Sequence, residues 1–406
     1  MTSTTLLFEA LAPVSIRTGR ETTNSETLRY IPGHTLRGAL ASAHRLLRPE
    51  RTDEFSRFFL SGAVHFSNAY PAEIEVRAPE LLPRPLPLTT RSCKRYPGFE
   101  TSGSTQHGVV DALIPSLLFA LTGQRHLDVL SPLDACSAVT SRGDRCGEPL
   151  QAIRGFFQRR PGQAGYALVV PRVQLTAHVG INRARRTAQE GVLYQHEAMV
   201  RGTCFAATWR GEAALLDELI AFAQEAANKG ALRVGTARSR GLGELGLRAV
   251  SNYPDTTPES LAFRLKAFAE RLHGYADKVG VSLPAGTLVP LTLNADAIVR
   301  DRFGRYLGLP GQEYWASLGF PAGTRVVWSA VEARRIMGWD AVLGLPRDDQ
   351  WALAMGSVLV LLVPASVEDV VPVLTQLEAH GLGERRDDGF GRVTVADAFH
   401  LEVGAA

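Results

Sequence analysis

The chain has 406 residues, of which 45% are hydrophobic, and a formal net charge of +3. This composition is typical of a globular protein with two or three domains and excludes a mainly disordered chain. The N-terminus lacks the basic segment of a signal peptide, and the longest apolar run, 358–363, is too short to cross a bilayer. We therefore expect a cytoplasmic protein.

Basic residues are concentrated in three windows of the sequence. Residues 84–99 carry a net charge of +4, residues 172–210 carry +4 and residues 231–249 carry +3, so the rest of the chain is acidic. Only 4 of the 44 basic residues are lysines, and guanidinium groups match phosphates and base edges well. Because a GC-rich genome gives the same arginine excess, the clustering is the better indication of a surface that faces a polyanion.

The first half of the chain alternates strand-like and helical patterns around an irregular segment. In chain order, the patterns predict a strand over 5–16, a helix over 31–47, a strand over 63–71, an insertion at about 77–165, a strand over 166–181, a polar basic loop or hairpin tip over 182–195, a strand over 197–209 and a helix over 212–230. Prolines and three of the four cysteines mark the insertion.

The second half repeats this order. The patterns predict a helical spacer at 258–279, strands over 286–299, 324–336 and 351–363, and a helix over 366–381 with a capping box at Ser366 and Asp369. Each half ends in helix, glycine, strand, Arg/Gly turn and strand, as expected for two tandem βαββαβ, ferredoxin-like units. We predict an α+β protein with one domain over 1–250, which contains the insertion, and a second over 251–406.

Two glycine-rich turns follow helices, LRVGTARSRGLGELGL at 232–247 and LGERRDDGFGRVTV at 382–395. Glycine lets the backbone approach a phosphate closely, and successive N–H groups can form an anion-binding concavity. Each turn runs from a helix into a strand, which excludes a dinucleotide fingerprint. A tight hairpin explains one such turn, but two equivalent turns that both carry arginine favour an anion site.

Four potential metal ligands lie in the insertion: Cys93, His107, Cys136 and Cys146. Thiolates and imidazole are the ligands of tetrahedral zinc, which would stabilise a small core. No pair of these cysteines has C-x-x-C spacing, so separate buried thiols and an unrelated histidine are an equal alternative. A disulfide is disfavoured in the cytoplasm.

Several segments carry a resemblance to a known family. YIPGHTLRGALA (30–41), INRARRTAQEGVLYQHEAM (181–199) and both glycine-rich turns together resemble the RAMP proteins of CRISPR systems. SCKRYPGF (92–99), HGVVDALI (107–114) and MGWDAVLGLPRDDQWALAMGS (337–357) are similar, more closely, to the two-RAMP subunit that caps the crRNA 5′ handle in type III-D effector complexes. The resemblance spans nearly the whole chain.

The resemblance implies a non-catalytic RNA-binding subunit with two ferredoxin-like, RRM-like RAMP domains, glycine-rich loops and a cysteine-bearing insertion in the first domain. Such a subunit binds the 5′ handle of crRNA, contacts the large polymerase/nuclease-like subunit and abuts a backbone RAMP subunit. The positions that match the family's RNA-binding motifs are expected to contact RNA. They are Arg37, Arg183, Arg185, Arg186, Arg238, Arg240, Gly241, Gly243, Gly389 and Arg392. The resemblance also favours zinc at the cysteine cluster.

The sequence leaves open other functions of the protein and other roles of its aromatic residues. Some RAMP proteins are metal-independent ribonucleases that process crRNA precursors, in which a histidine can act as general base; the available histidines are His34, His44, His178 and His196. A general RNA chaperone would also explain the basic windows. The side chains of Tyr96, Phe99 and Tyr194 could stack on RNA bases or pack in a core.

Overall fold

The computed structural model describes residues 2–17, 24–73, 76, 78–100, 105–123, 135–139, 143–161, 165–182, 184–253, 256–340 and 345–404. The chain forms two compact units. The first contains Met1–Pro83, Val169–Pro254 and Asp387–Gly389, and the second contains Arg84–Leu168, Asp255–Arg386 and Phe390–Ala406.

Helices and strands are mixed throughout both units, which confirms an α+β protein. The strands are β1 (Thr2–Ala10), β2 (Asn24–Ser25), β3 (His65–Phe66), β4 (Tyr70–Ala72), β5 (Arg84–Pro85), β6 (Thr90–Cys93), β7 (Val109–Asp111), β8 (Leu150–Ala152), β9 (Phe156–Arg159), β10 (Tyr166–Val169), β11 (Val173–Asn182), β12 (Thr187–Met199), β13 (Cys204–Gly211), β14 (Leu245–Tyr253), β15 (Thr287–Leu293), β16 (Arg325–Ala330), β17 (Ala333–Asp340), β18 (Leu345–Leu353), β19 (Val358–Val363) and β20 (Val393–Val395). The helices are α1 (Gly33–Leu47), α2 (Thr52–Phe59), α3 (Leu113–Thr122), α4 (Ala213–Asn228), α5 (Pro258–Lys278), α6 (Gln312–Ser317), α7 (Val367–His380) and α8 (Ala398–Glu402). Three short 3-10 turns occur at Pro79–Leu81, Arg238–Arg240 and Arg386–Asp388.

The main sheet of the first unit has the strand order β14-β1-β13-β3, and β4 also pairs with β13. All of these neighbours are antiparallel. Leu6 and Phe8 of β1 pack in a core with Leu36 of α1 and Phe222 of α4. Side chains alternate between the two faces of a strand, so Leu6 and Phe8 point to the same face. Trp209 of β13 packs between this core's aromatic rings and is fully buried.

Strands β11 and β12 form a long hairpin, which is one of the two alternatives that the sequence left for 182–195. Asn182 pairs with Thr187, so only 183–186 connect the two strands and most of 182–195 is strand. Leu175 and Ile181 of β11 are exposed, so this strand does not present a buried apolar face. Because a ribbon outside a core needs no alternation of apolar and polar residues, its polar sequence is compatible with either a loop or a hairpin.

The main sheet of the second unit has the order β16-β19-β15-β20, again with antiparallel neighbours. Leu265 of α5 and Leu374 of α7 pack in its core with β19, all of whose residues are buried. Ser366 is confirmed as the N-cap of α7, since its Oγ accepts a hydrogen bond from the backbone N–H of Asp369 at 3.2 Å, and the same Oγ donates to Asp369 Oδ2 at 2.7 Å. The predicted strand 324–336 is divided into β16 and β17.

Residues 84–168 pack with the second unit. Leu113 and Leu117 of α3 belong to its core, and the Phe157 ring lies 5.2 Å from that of Phe399. His400 Nδ1 lies 2.8 Å from the Asp111 carboxylate, and both groups are buried. The domain boundary near residue 250 remains a prediction. Residues 84–168, however, pack against residues that come much later in the sequence, such as Phe399 and His400. Within the described residues, no helix is both long and apolar enough to span a membrane.

The buried ion pair of Arg84 and Asp397 joins this segment to the C-terminal part of the unit. Asp397 also accepts a hydrogen bond from the N–H of Phe399 and so caps α8. Burial alone would raise the pKa of Asp397, but Arg84, His400, the Phe399 N–H and Arg264 together outweigh it and hold the pKa below its ordinary value. The pair therefore stabilises the fold above the unfolded-state pKa of an aspartate, and this contribution is lost as the pH falls through the folded-state pKa.

We expect Arg84→Ala to lower the free energy of unfolding by about 3 kcal/mol at pH 7, because it leaves Asp397 buried and unpaired. The loss should shrink as the pH falls through the pKa of Asp397, where the carboxyl becomes protonated. Urea unfolding at several pH values measures it. Arg154→Ala, which removes an exposed pair with Glu332, is the control and should cost under about 1 kcal/mol. Equal effects of the two substitutions would contradict the prediction.

Candidate functional site

The two glycine-rich turns have the same backbone conformation. We call residues 234–243 the first glycine loop and residues 382–391 the second glycine loop. Left-handed φ angles occur at the same four positions of each: 75°, 56°, 88° and 83° at Gly235, Ala237, Gly241 and Gly243, and 81°, 54°, 94° and 73° at Gly383, Arg385, Gly389 and Gly391. The sequence-based inference of one device used twice is therefore correct at the level of the backbone.

Equivalent hydrogen bonds close both loops. Val234 N donates to Gly243 O and Leu382 N donates to Gly391 O, both at 2.8 Å. Each loop is also tied to the segment that follows the first strand of its sheet: Thr236 N donates to Ser15 O, and Glu384 N donates to Ile298 O, both at 2.9 Å. The loops are thus fixed by backbone contacts that do not depend on their side chains.

Glycine is required at the base of each loop because another backbone segment lies against it. A Cβ atom on Gly243 would lie 2.0 Å from Val234 O, and one on Gly391 would lie 1.8 Å from Leu382 O. At the tip of the first loop the situation differs, since nothing lies within 4 Å of a Cβ added to Gly241. The first glycine loop therefore has a crowded base and an open tip.

The tips of the two loops differ in charge, because the turn of the second loop has two acids beside the exposed Arg386. Arg238 and Arg240 form the 3-10 turn of the first glycine loop, and both are exposed. The second loop has Asp387 and Asp388 at the corresponding turn, and both carboxylates bind the guanidinium of Arg37 in α1. Gly389 is also packed, because its Cβ would lie 2.7 Å from Phe66 O.

The structure therefore places the predicted RNA-contacting residues in different surroundings. Arg238, Arg240 and Gly241 lie together on the open tip of the first glycine loop, whose base contains Gly243. Arg185 and Arg186 are exposed at the tip of the β11–β12 hairpin, where Asn182 Oδ1 accepts a hydrogen bond from Arg185 N at 3.1 Å.

The remaining predicted contacts are less open. Arg37 binds two carboxylates, Gly389 is buried, and Arg392 is partly buried after the second glycine loop. Arg183 lies outside the described residues. Sequence reasoning did not find the pairing of Arg37 with the RDD of the second loop, although the acids in that loop, absent from the first, were the available signal.

Most of the candidate catalytic histidines and base-stacking aromatic residues that the structure describes are buried or partly buried. His44 is buried among phenyl rings, with Nε2 3.3 Å from Glu54 Oε1, and His196 is 5% exposed, whereas His34 is partly buried. Phe99 packs in a core with Phe157 and Tyr166. Neither the His178 nor the Tyr194 side chain is among the described groups.

The four potential metal ligands lie close together, as expected for a metal site and not for separate thiols, the other alternative that the sequence left open. Their ligand atoms all lie within 4.8 Å of one another. Cys93 Sγ is 3.9 Å from Cys146 Sγ, and Cys136 Sγ is 3.5 Å from His107 Nδ1. The cysteines are free, and this cluster can hold a tetrahedral metal ion.

Local backbone pairing brings the four ligands together. Cys93 ends β6, and Lys94 N donates to Pro149 O at 3.0 Å, which aligns the strand with a small hairpin. Cys136 and Cys146 lie on the two arms of that hairpin, where Cys146 N donates to Ala138 O at 2.8 Å. Burial, reinforced by the neighbouring thiols, raises the pKa of Cys136 to about 11. The anionic form of the Cys136 thiol, which a metal ion needs as a ligand, is therefore disfavoured unless a cation lies beside it.

Comparison with known families tests the resemblance. A model of the RAMP superfamily matches residues 7–245, more than half of the chain, from β1 through the first glycine loop. The chain belongs to the RAMP superfamily. A comparison of this RAMP protein with curated proteins finds no match.

Solved structures similar to this RAMP protein include two of type III-B Cmr-beta. A chain in the cryo-EM structure bound to cognate target RNA has 11% identity and a TM-score of 0.39, with 88% of this chain and 86% of that chain covered. A chain in the structure bound to cognate target RNA and AMPPnP has 10% identity and a TM-score of 0.37, with 92% and 88% covered.

We expect Gly243→Ala to lower the free energy of unfolding by about 3 kcal/mol, because the methyl group would collide with Val234 O at a left-handed φ. Gly241→Ala is the matched control: it has a similar φ but no neighbour, so it should cost about 1 kcal/mol. Urea unfolding of both variants measures the difference. Equal losses would show that the close contact at the base of the loop does not constrain the fold.

Proposed function

We propose that this RAMP protein is a non-catalytic RNA-binding subunit of a type III CRISPR interference complex, of the type III-D kind. In this role it binds the repeat-derived 5′ handle of the crRNA and links it to the large polymerase/nuclease-like subunit and to backbone RAMP subunits. The proposal places the protein in the cytoplasm. Membership of the superfamily and the sequence motifs support it.

The observation that carries the proposal is the first glycine loop. Its tip presents two exposed arginines beside a glycine with open space around it, on a backbone fixed by hydrogen bonds. Arginines neutralise phosphates, and a glycine lets a nucleotide backbone come close. The exposed Arg185 and Arg186 of the hairpin tip supply further positive charge.

We infer that each unit contains a ferredoxin-like RAMP domain. If the sheet strands of each unit are counted along the chain, their order across the sheet is 4-1-3-2: β14-β1-β13-β3 in the first unit and β20-β15-β19-β16 in the second. Helices α1 and α4 in the first, and α6 and α7 in the second, occupy the two helical positions of βαββαβ. The duplicated glycine loops occur before the fourth strand in both.

The handle-binding role is tested with purified protein and 5′-labelled RNA that carries the CRISPR repeat handle, at two salt concentrations and in EDTA. We expect tighter binding than to a shuffled handle, without cleavage. Site-specific cleavage would instead identify the processing ribonuclease, the second candidate function; the burial of His44 and His196 argues against those two as its base.

We expect Arg238→Ala and Arg240→Ala each to weaken handle binding and to reduce the slope of log K against log salt by about 0.7, since each guanidinium would neutralise one phosphate. Arg57→Ala is the control, because Arg57 is an exposed arginine of the first unit that lies on α2 rather than on a glycine loop or the hairpin tip. Unchanged affinity and slope in both loop variants would remove the first glycine loop from the RNA site.

We further propose that the Cys93, His107, Cys136 and Cys146 cluster binds structural zinc. The convergence of three thiols and an imidazole supports this, and the ion would hold β6 and the small hairpin together. The ion would have no open coordination position if all four side chains bind it, as in a structural rather than a catalytic site.

We expect about one zinc ion per chain, and its loss in Cys136→Ser, because three ligands bind zinc far more weakly than four. Elemental analysis and the thiolate charge-transfer bands of Co²⁺-substituted protein measure occupancy. Cys204→Ser is the matched control, since the fourth cysteine lies outside the cluster and should leave the metal content unchanged. Protein with neither zinc nor Co²⁺ bands would contradict the site.

A further inference from the structure

A tight turn at residues 300–306 of the second unit displays an aromatic ring to solvent. Arg300 and Tyr306 pair at the base of the turn, and Phe303 at its tip is 68% exposed. The turn lies beside the second glycine loop, because Ile298 pairs with Glu384 and Arg300 Nε lies 3.6 Å from Glu384 Oε2. None of the sequence motifs includes this turn.

The turn is held rigidly by one side chain. Asp301 Oδ1 accepts hydrogen bonds from the backbone N–H groups of Phe303 and Arg305, both at 2.9 Å. Asp301 Oδ2 binds Arg305 Nε at 2.7 Å, and Gly304 has a left-handed φ of 79°. Phe303 is therefore presented on a fixed backbone, so that binding a ligand there would require little ordering of the loop.

Two guanidinium groups flank the exposed ring. The Cζ atom of Arg302 is 4.8 Å from the centre of the Phe303 ring, and that of Arg305 is 5.4 Å from it. The arginines thus lie against the aromatic ring while their donors remain near solvent, since both residues are exposed. A ring with two adjacent cations offers a stacking surface and phosphate ligands at one place.

The surroundings of the turn are also positively charged. Residues 300–306 and 383–388 together contain five arginines and four acids. All four acids are engaged by arginines: Asp301 by Arg305, Glu384 by Arg300, and Asp387 and Asp388 by Arg37. An apolar protein partner would have to desolvate the guanidinium groups beside Phe303, whereas a polyanion would pair with them.

We propose that the 300–306 turn is a stacking site for an unpaired base of single-stranded RNA. The base stacks on the exposed Phe303 ring, and the phosphates on either side of it draw Arg302 and Arg305 off the ring and bind them. The inference rests on the proposed RNA-binding function and deepens it, since it assigns a base contact in the second unit to residues outside the glycine loops. Stacking tolerates any base, so this contact adds affinity rather than sequence selectivity.

The test measures binding of the full-length protein to the labelled handle RNA and to a single-stranded oligouridylate. We expect Phe303→Ala to weaken binding about fivefold or more, and Phe303→Trp to retain it, because an aromatic ring is the required feature. Phe263→Ala is the matched control: Phe263 on α5 is 74% exposed in the same unit, and its substitution should leave affinity unchanged. A 2-aminopurine placed in the RNA should lose fluorescence on binding to the wild type and lose less with Phe303→Ala.

The outcomes separate this inference from the proposed function. Wild-type protein that binds neither RNA would overturn both. If Arg238→Ala weakens binding while Phe303→Ala matches the wild type, RNA binding stands and the stacking site is wrong. The stacking site is also wrong if Phe303→Ala binds RNA normally but fails to join an assembled complex, since the ring would then contact protein. Phe303 is exposed, so urea unfolding should show an unchanged fold in its variants.

Discussion

The contact of a glycine Cα with a backbone carbonyl at the base of each glycine loop is the constraint on which the rest of the candidate site depends. Gly243 lies against Val234 O and Gly391 against Leu382 O, at distances that leave no room for a side chain. The contact closes each loop directly before the last strand of its sheet, so the loop conformation is set by the backbone. The side chains of Arg238 and Arg240 at the open tip of the first loop can therefore change without loss of this frame, because the hydrogen bonds that close it join backbone atoms.

The two copies of this frame have different charges at the tip. The first presents Arg238 and Arg240 to solvent, whereas the second has Asp387 and Asp388, which bind Arg37, after the exposed Arg386. The second frame thus holds an internal ion pair that the first frame lacks. In the second unit, exposed arginines also occur on the neighbouring 300–306 turn, which a comparison of the two loop sequences does not reveal.

Much of the fold was predictable because its signals are local. The periods of α1, α4, α5 and α7, the Ser366 cap and the duplicated glycine loops all follow from residues close together in the chain. The ligand set of the cluster could be named, but not its convergence, because residues 93 and 136 meet only through strand pairing. The association of residues 84–168 with the second unit was also hidden, since it depends on partners such as Asp397 and His400, about 300 residues later. No sequence motif marks the Phe303 turn. Its exposed ring with two adjacent guanidinium groups results from the positions of the Arg302, Phe303 and Arg305 side chains.

The long-range pairing of residues 84–168 has a consequence for the order in which the protein is built during translation. Asp111 leaves the ribosome 289 residues before His400, the group it binds, and Arg84 emerges 313 residues before Asp397. At typical translation rates of about 5–20 residues per second, these partners are synthesised on the order of 15 to 60 seconds after the segment. Its apolar face, including Phe157, has no Phe399 to cover it during that time. A metal ion bound early at the cysteine cluster would hold part of the segment in shape over this interval, which gives such a site a role in biogenesis as well as in the finished fold.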